Sequence, residues 1–173
     1  MSEPTTLPAP TGTPYRIAFV CLGNICRSPM ADVILSSLLD EAGLAAKVEV
    51  TSCGTGTWHL GEPMDPRAAE RLRAGGYDAS AHRAQKFDDT WLGKDLVLAM
   101  DAKNLASISN GAGVSERVRM FRSFDPSVDG STDPADLDVP GPFYGEDDHF
   151  GEVIRIIERT CRQLLTEIQA LGL

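Results

Sequence analysis

The feature that most constrains this chain is an apolar run that ends at a cysteine, with an arginine six positions later. Residues 16–30 read RIAFVCLGNICRSPM. The uninterrupted run at residues 17–20 is typical of a strand that is buried on both faces of a parallel sheet. Cys21 is therefore predicted to lie at the carboxyl end of a strand. Ser28 is predicted to be the N-cap of the next helix, with Pro29 at its first helical position.

The turn between this strand and helix is suited to binding an oxyanion. Its backbone N–H groups can converge on one point, and the helix adds the positive end of its dipole. Gly23 allows close approach to a ligand, Asn24 tolerates the left-handed conformation, and Arg27 offers a planar fork to tetrahedral oxygens. This environment favours the thiolate of Cys21, a nucleophile beneath a bound phosphate. Ser28 is predicted to donate a hydrogen bond to that thiolate.

The segment CLGNICRSP resembles the phosphate loop of the low-molecular-weight protein-tyrosine phosphatases, which reads C-x-G-N-x-C-R-S near the N-terminus. The resemblance implies hydrolysis through a phosphocysteine, with Cys21, Arg27 and Ser28 as the catalytic residues. It also implies that the other loop residues bind the phosphoryl group, namely Leu22, Gly23, Asn24, Ile25 and Cys26. The alternative, an inert buried cysteine, leaves all these features as unrelated coincidences.

Cys26 has a second predicted role. The resemblance supports capture of an oxidised Cys21 by Cys26 as a reversible disulfide. The alternative is that Cys26 is a small apolar side chain that only fills space within the loop. Cys53 is predicted to be packed at the end of a strand. Cys161 is predicted to lie in the core, on the apolar face of the last helix.

The rest of the chain predicts a small doubly wound α/β fold, with four parallel strands and helices on both faces. Further strands are expected at residues 48–52, 96–100 and 118–120, and a long closing helix at residues 150–171. Residues 121–149 are predicted to be one long loop. Residues 1–14, rich in Pro, Thr and Gly, are predicted to be a disordered tail ahead of a single domain at residues 15–173.

Charge and composition limit the partners. The formal net charge of −9 argues against nucleic acid or an anionic membrane, so phosphate must be attracted by local geometry. Absence of a signal core and of an apolar span predicts a cytoplasmic protein. No cofactor is expected, and the three histidines lack metal-ligand spacing, so no metal site is predicted: His59, His82 and His149.

Aromatic residues are predicted to form the walls of the site and to favour a phosphotyrosine-containing protein or peptide as the partner. Trp58 lies in a glycine-flanked loop, where it can stack on an aryl phosphate. The resemblance assigns a second wall to Phe143 and Tyr144. His59, next to Trp58, is a weaker candidate for a catalytic role.

The sequence departs from the family at the expected general acid. The family has the aspartate of a D-P-[YF]-[YF] motif, whereas this chain reads V-P-G-P-F-Y-G with Gly141 at that position. Either the enzyme is slow, or another carboxylate supplies the proton. The candidates for such a replacement are Asp138, Glu146, Asp147 and Asp148.

Three functions therefore compete. Hydrolysis of protein phosphotyrosine is favoured by the loop and the aromatic walls. A phosphoryl-binding module that has lost turnover is supported by Gly141. Arsenate reduction is the third, but related reductases need a pair of resolving cysteines near position 85, and none stands there.

Overall fold

One parallel sheet of four strands forms the centre of the molecule. The computed structural model describes residues 7–128, 134–141 and 149–173. The strands are β1 (Tyr15–Cys21), β2 (Val48–Gly54), β3 (Leu96–Ala99) and β4 (Val118–Met120). Their order in the sheet is β2-β1-β3-β4, and all neighbours are parallel.

Helices cover both faces of this sheet. The α-helices are α1 (Arg27–Glu41), α2 (Pro66–Ala74), α3 (Ala102–Ser109) and α4 (His149–Gln169). Contacts join α1 and α2 to α4 on one face, while α3 packs on β3 and β4 at the other. The two faces have separate cores, and on the α1 side Phe19 meets Phe121 edge-on with ring centroids 5.2 Å apart. The predicted fold class is confirmed.

The strand order positions the functional crevice. β1 lies between β2 and β3, so the chain changes direction across the sheet after β2. In doubly wound folds, ligands bind at the carboxyl ends of the strands at such a switch point. Cys21 ends β1, and Asp101 follows β3 by two residues. The topology therefore brings two polar side chains from distant sequence positions to one edge.

The start of α1 differs from the prediction. The helix begins at Arg27 with Cys26 as N-cap, and no side chain caps it. Ser28, predicted as the N-cap, is instead the second helical residue. It is fully buried, and its hydroxyl contacts the sulfur of Cys21 and does not cap the helix. Pro29 is the third helical residue, where a missing N–H still costs no helical hydrogen bond.

The predicted disordered tail needs correction over its described part. At residues 7–14 the chain packs on the domain, with Leu7 only 6% exposed. The backbone N–H and the hydroxyl of Thr11 both donate to Oδ1 of Asp95, at 3.0 and 2.8 Å. Asp95 is itself buried, and a buried carboxylate needs donors, which explains why this segment is held.

The predicted long loop after β4 contains short 3₁₀ helices in its described parts. They span Phe121–Phe124, Pro126–Val128 and Pro134–Leu137. Asp125 anchors the first two, because its buried carboxylate accepts hydrogen bonds from Arg122 and Arg159. Burial opposes ionisation there, but these hydrogen bonds hold the pKa of Asp125 below its usual range. Across the described residues, no helix has the length and apolarity that crossing a bilayer requires.

Candidate active site

The sulfur of Cys21 lies where the prediction placed it, at the end of β1, and only 3% of the residue is exposed. The backbone N–H of Asn24 donates to Sγ at 3.2 Å. The hydroxyl of Ser28 is 2.9 Å from Sγ. When the sulfur is ionised, both groups can donate hydrogen bonds to it, so the site is built to stabilise a thiolate.

Asn24 holds the loop in its concave shape. Its backbone is left-handed, with φ of 55°, as predicted. Its buried side-chain Nδ2 donates to the hydroxyls of Ser28 and Ser52 at 2.9 and 3.0 Å, and its Oδ1 accepts the N–H of Gln85 at 2.8 Å. The backbone oxygen of Asn24 accepts from Nε2 of His82 at 2.6 Å. Burial lowers the pKa of His82, which is consistent with a neutral ring that donates from Nε2.

Gly54, at the end of β2, lets a second loop lie directly against the phosphate loop. A Cβ at this position would be 2.7 Å from the backbone oxygen of Leu22 and 3.1 Å from Asn24. The next two residues then donate to the phosphate loop: Thr55 to the oxygen of Cys21 at 3.0 Å, and Gly56 to that of Leu22 at 2.9 Å. These contacts require a residue without a side chain at position 54.

Arg27 is fixed by two acceptors. Its Nη1 donates to Oδ2 of Asp101 at 2.9 Å and to the backbone oxygen of Val139 at 3.0 Å. Both hydrogens of Nη1 are thereby used. Among the described residues, Nε and Nη2 have no acceptor, and these donors are suited to tetrahedral oxygens. Oδ1 of Asp101 accepts the N–H of Asn104, so one carboxylate caps α3 and orients the arginine.

A cavity of about 320 Å³ opens above the phosphate loop. The predicted residues that line it are Cys21, Leu22, Gly23, Ile25, Cys26, Arg27, Trp58 and His59. Asn24 and Ser28 are fully buried behind this wall. The ring of Trp58 lies over Gly56 and is 70% exposed, so it forms one side of the mouth. Phe143 and Tyr144 lie outside the described residues.

His59 lies at the mouth of the cavity, on the side of Gly23. Its ring Nδ1 is 2.8 Å from Oε2 of Glu62. Its Cδ2 would be 3.1 Å from a Cβ added at Gly23. The ring is therefore oriented by a surface carboxylate beside the loop.

Gly141 lines the cavity at the position of the expected acid. The chain leading to it is held firmly: the N–H of Val139 donates to the oxygen of Met100 at 2.8 Å, and Val139 is buried. Asp138 accepts the N–H of Ala102 at 2.7 Å, and burial raises its pKa. Among the described residues that line the cavity, Asp138 does not appear. Glu146, Asp147 and Asp148 lie outside the described residues.

Cys26 lines the same cavity as Cys21. Burial raises the pKa of the Cys26 thiol, and the negative charges of Asp65 and Cys21 raise it further. Burial also raises the pKa of the thiols of Cys53 and Cys161. These three residues are thiols at neutral pH.

Sequence reasoning missed several residues of the site. The sequence analysis did not identify Asp101 as the partner of Arg27; its place after a buried strand was the available signal. Nothing in the local sequence marks Ser52 and Gln85 as supports of Asn24. Three residues of α3 also line the cavity: Lys103, Asn104 and Ser107.

Comparison with known proteins identifies a family. A model described as low molecular weight phosphotyrosine protein phosphatase matches residues 16–171. A low molecular weight protein-tyrosine-phosphatase of Streptomyces coelicolor is 42% identical over 159 residues, covering 90% of this chain and 94% of the relative. A low molecular weight protein-tyrosine phosphatase A of Mycobacterium tuberculosis is 46% identical over 146 residues, covering 84% of this chain and 86% of the relative.

The fold is also that of a solved relative. The crystal structure of YfkJ from Bacillus subtilis is similar with a TM-score of 0.80 and 36% sequence identity. The similarity covers 92% of this chain and 97% of that one.

Proposed function

The chain belongs to the low molecular weight phosphotyrosine protein phosphatase family, and from this premise we propose that it hydrolyses phosphotyrosine in proteins or peptides through a phosphocysteine on Cys21. One observation carries the proposal. The sulfur of Cys21 receives the N–H of Asn24 and contacts the hydroxyl of Ser28, in the cavity that also presents Arg27 and Trp58. A phosphoryl group fits the loop and guanidinium, and an aryl ring fits the tryptophan face.

In the first step, the sulfur of Cys21 attacks phosphorus. The S–P bond forms while the bond from phosphorus to the tyrosine oxygen breaks, and the phenolate leaves with the electron pair. Arg27 and the loop N–H groups offset the charge on the three equatorial oxygens. The phenolate takes its proton from water, because a glycine occupies the position of the general acid. We therefore propose that this step is slow for phenols of high pKa.

In the second step, water attacks the phosphocysteine. The P–O bond forms, the S–P bond breaks, and inorganic phosphate and the Cys21 thiolate are released, with one proton passing to solvent. Ser28 and the N–H of Asn24 stabilise the departing sulfur.

Rapid-mixing kinetics with 4-nitrophenyl phosphate test this proposal. The expected result is a burst of one nitrophenolate per active site followed by steady turnover. Cys21→Ser should abolish both phases and retain phosphate binding, whereas Arg27→Ala should lose both turnover and binding. Cys161→Ser, on the buried face of α4, is the matched control and should keep the burst. Full turnover in Cys21→Ser contradicts the proposal.

The second candidate function is phosphoryl binding without turnover, and Gly141 supports it. This function predicts that phosphotyrosine binds and no burst follows. Arsenate reduction predicts arsenite formation that depends on a thiol relay. The same preparation, tested with 4-nitrophenyl phosphate, phosphotyrosine and arsenate, distinguishes the three.

We also propose that Cys26 protects the nucleophile. A sulfenic acid formed on Cys21 by peroxide would react with the Cys26 sulfur, forming the disulfide and releasing water. Both residues line one cavity, which supports the pairing. Peroxide inactivation should be reversed by dithiothreitol in the wild type and should become irreversible in Cys26→Ser; equal recovery of both proteins contradicts the pairing. We further propose the cytoplasm as the location of the protein, because none of its four cysteines is paired in a disulfide.

A further inference from the structure

The side of the cavity formed by α3 is polar, unlike the side formed by Trp58. Lys103, Asn104 and Ser107 all line the cavity, together with Cys21. These positions lie one, three and four residues apart, so they share one face of the helix. Lys103 and Ser107 are exposed, while Asn104 is buried between them. We call this set of three residues the α3 wall.

Asn104 has an unusual environment. Its backbone N–H donates to Oδ1 of Asp101 at 2.7 Å. Its side-chain Oδ1 is buried and, within the described residues, has no hydrogen-bond partner. Asn104 is only 3% exposed, and its exposed part borders the cavity. An unpaired buried carbonyl is costly and therefore rare, and one that belongs to the wall of a cavity can be paired by a ligand that fills the cavity.

We propose that the α3 wall is a subsite for the polypeptide that carries the phosphotyrosine, and this rests on the function proposed above. Oδ1 of Asn104 accepts a main-chain N–H of the substrate beside the phosphorylated residue. Lys103, on the exposed edge of the α3 wall, forms an ion pair with an acidic side chain of the substrate that flanks the phosphotyrosine. The enzyme then distinguishes a phosphopeptide with acidic flanks from free phosphotyrosine, although both present the same phosphoryl group and ring.

The charge of the protein is consistent with this assignment. The chain has a net charge of −9, so an acidic peptide is repelled by the molecule as a whole. A cation at the cavity wall offsets that repulsion locally. Lys103 makes no ion pair within the part of the chain that the structure describes. The preference for acidic flanks should therefore weaken as salt is added.

Binding measured by calorimetry on the Cys21→Ser protein tests the inference without dependence on turnover. The ligands are free phosphotyrosine, a phosphotyrosine peptide with alanine flanks and the same peptide with glutamate flanks. Asn104→Leu should weaken both peptides by about fivefold, the factor that one net hydrogen bond is worth, and leave phosphotyrosine unchanged. Lys103→Glu should weaken the glutamate peptide alone by about threefold or more. Lys47→Glu, which carries the same charge change at an exposed residue just before β2, at the opposite end of the strands from the cavity, is the matched control.

Thermal unfolding separates a binding role from a structural one. Asn104→Leu removes an unpaired polar atom from a buried site, so the midpoint should stay or rise. A lower midpoint with equal weakening of all three ligands would show that Asn104 is a structural residue, and the inference would be overturned. Unchanged peptide affinity in Asn104→Leu would overturn it as well. If free phosphotyrosine fails to bind the Cys21→Ser protein at all, the proposed function itself is wrong.

Discussion

Asp101 holds Arg27 across the edge of the sheet, with Oδ2 of the carboxylate 2.9 Å from Nη1 of the guanidinium. Both side chains are mostly buried, with 12% of the arginine and 17% of the aspartate exposed. Val139 accepts the second hydrogen of the same nitrogen. The orientation of the predicted phosphate-binding arginine is thus set by residues from two later segments of the chain.

Asp101→Asn should impair phosphate binding more than stability. The amide oxygen of the new asparagine can still accept the N–H of Asn104. Its NH₂ group then faces Nη1 of Arg27, so two hydrogen-bond donors oppose each other. We expect the inhibition constant of inorganic phosphate to rise about tenfold, since a charged hydrogen bond is worth about 1.5–3 kcal/mol. Asp138→Asn removes a nearby charge without removing a contact to Arg27 and serves as the control. Equal effects of the two variants would show that charge alone is responsible.

Gly141→Asp should restore proton donation to the leaving group. The segment before Gly141 is anchored at Val139 and Asp138, so a new carboxyl group would be attached to a fixed backbone. We expect kcat for phenyl phosphate to increase by about 100-fold and that for an activated aryl ester by far less, because only the poorer leaving group needs the proton. Gly141→Asn supplies a similar shape without an acid. Equal acceleration of both esters would show that the proton donor is not the limitation.

Gly54→Ala should damage the phosphate loop by steric conflict. Its Cβ would lie 2.7 Å from the backbone oxygen of Leu22, which has no flexible side chain to move aside. We expect a loss of about 1–3 kcal/mol in the free energy of unfolding, together with a large loss of activity. Gly93→Ala, where a Cβ meets nothing within 4 Å, is the control. Denaturant unfolding and initial rates on both variants provide the measurement, and a fully active Gly54→Ala would contradict the steric argument.

Asp32→Asn should change how stability depends on pH. Burial raises the pKa of Asp32 to about 6, against partial opposition from hydrogen bonds with Ser36 and Ser52. The folded protein therefore keeps a proton that the unfolded chain loses near pH 4. Consequently the free energy of unfolding falls as pH rises from about 4 to about 6, by about 3 kcal/mol from this group.

The asparagine variant removes this contribution. Its thermal midpoint should exceed that of the wild type at pH 7, and the two should converge near pH 4. Asp40→Asn, on the exposed side of the same helix, should follow the wild type. Parallel curves for the wild type and Asp32→Asn over this range would disprove the raised pKa.

Signals that act over a few residues were read correctly from the sequence. The apolar run before Cys21 and the left-handed conformation of Asn24 depend on neighbours within about four positions. The parallel sheet was predicted from the alternation of apolar strand segments with helical segments along the chain. The start of α1 was predicted wrongly. Serine is a common N-cap residue, but the hydroxyl of Ser28 contacts the sulfur of Cys21 instead.

The chain by itself determined the strand, the phosphate loop and the chemistry of its side chains, since these follow from local conformational preference. The distant groups that support them are brought into place by long-range packing: Asp101 for Arg27, Ser52 and Gln85 for Asn24, and residues 7–14 for Asp95. The physical reason is that parallel strands bring their carboxyl ends to one edge whatever their separation along the chain. Polar groups that are buried there must find partners among whichever residues the topology places beside them.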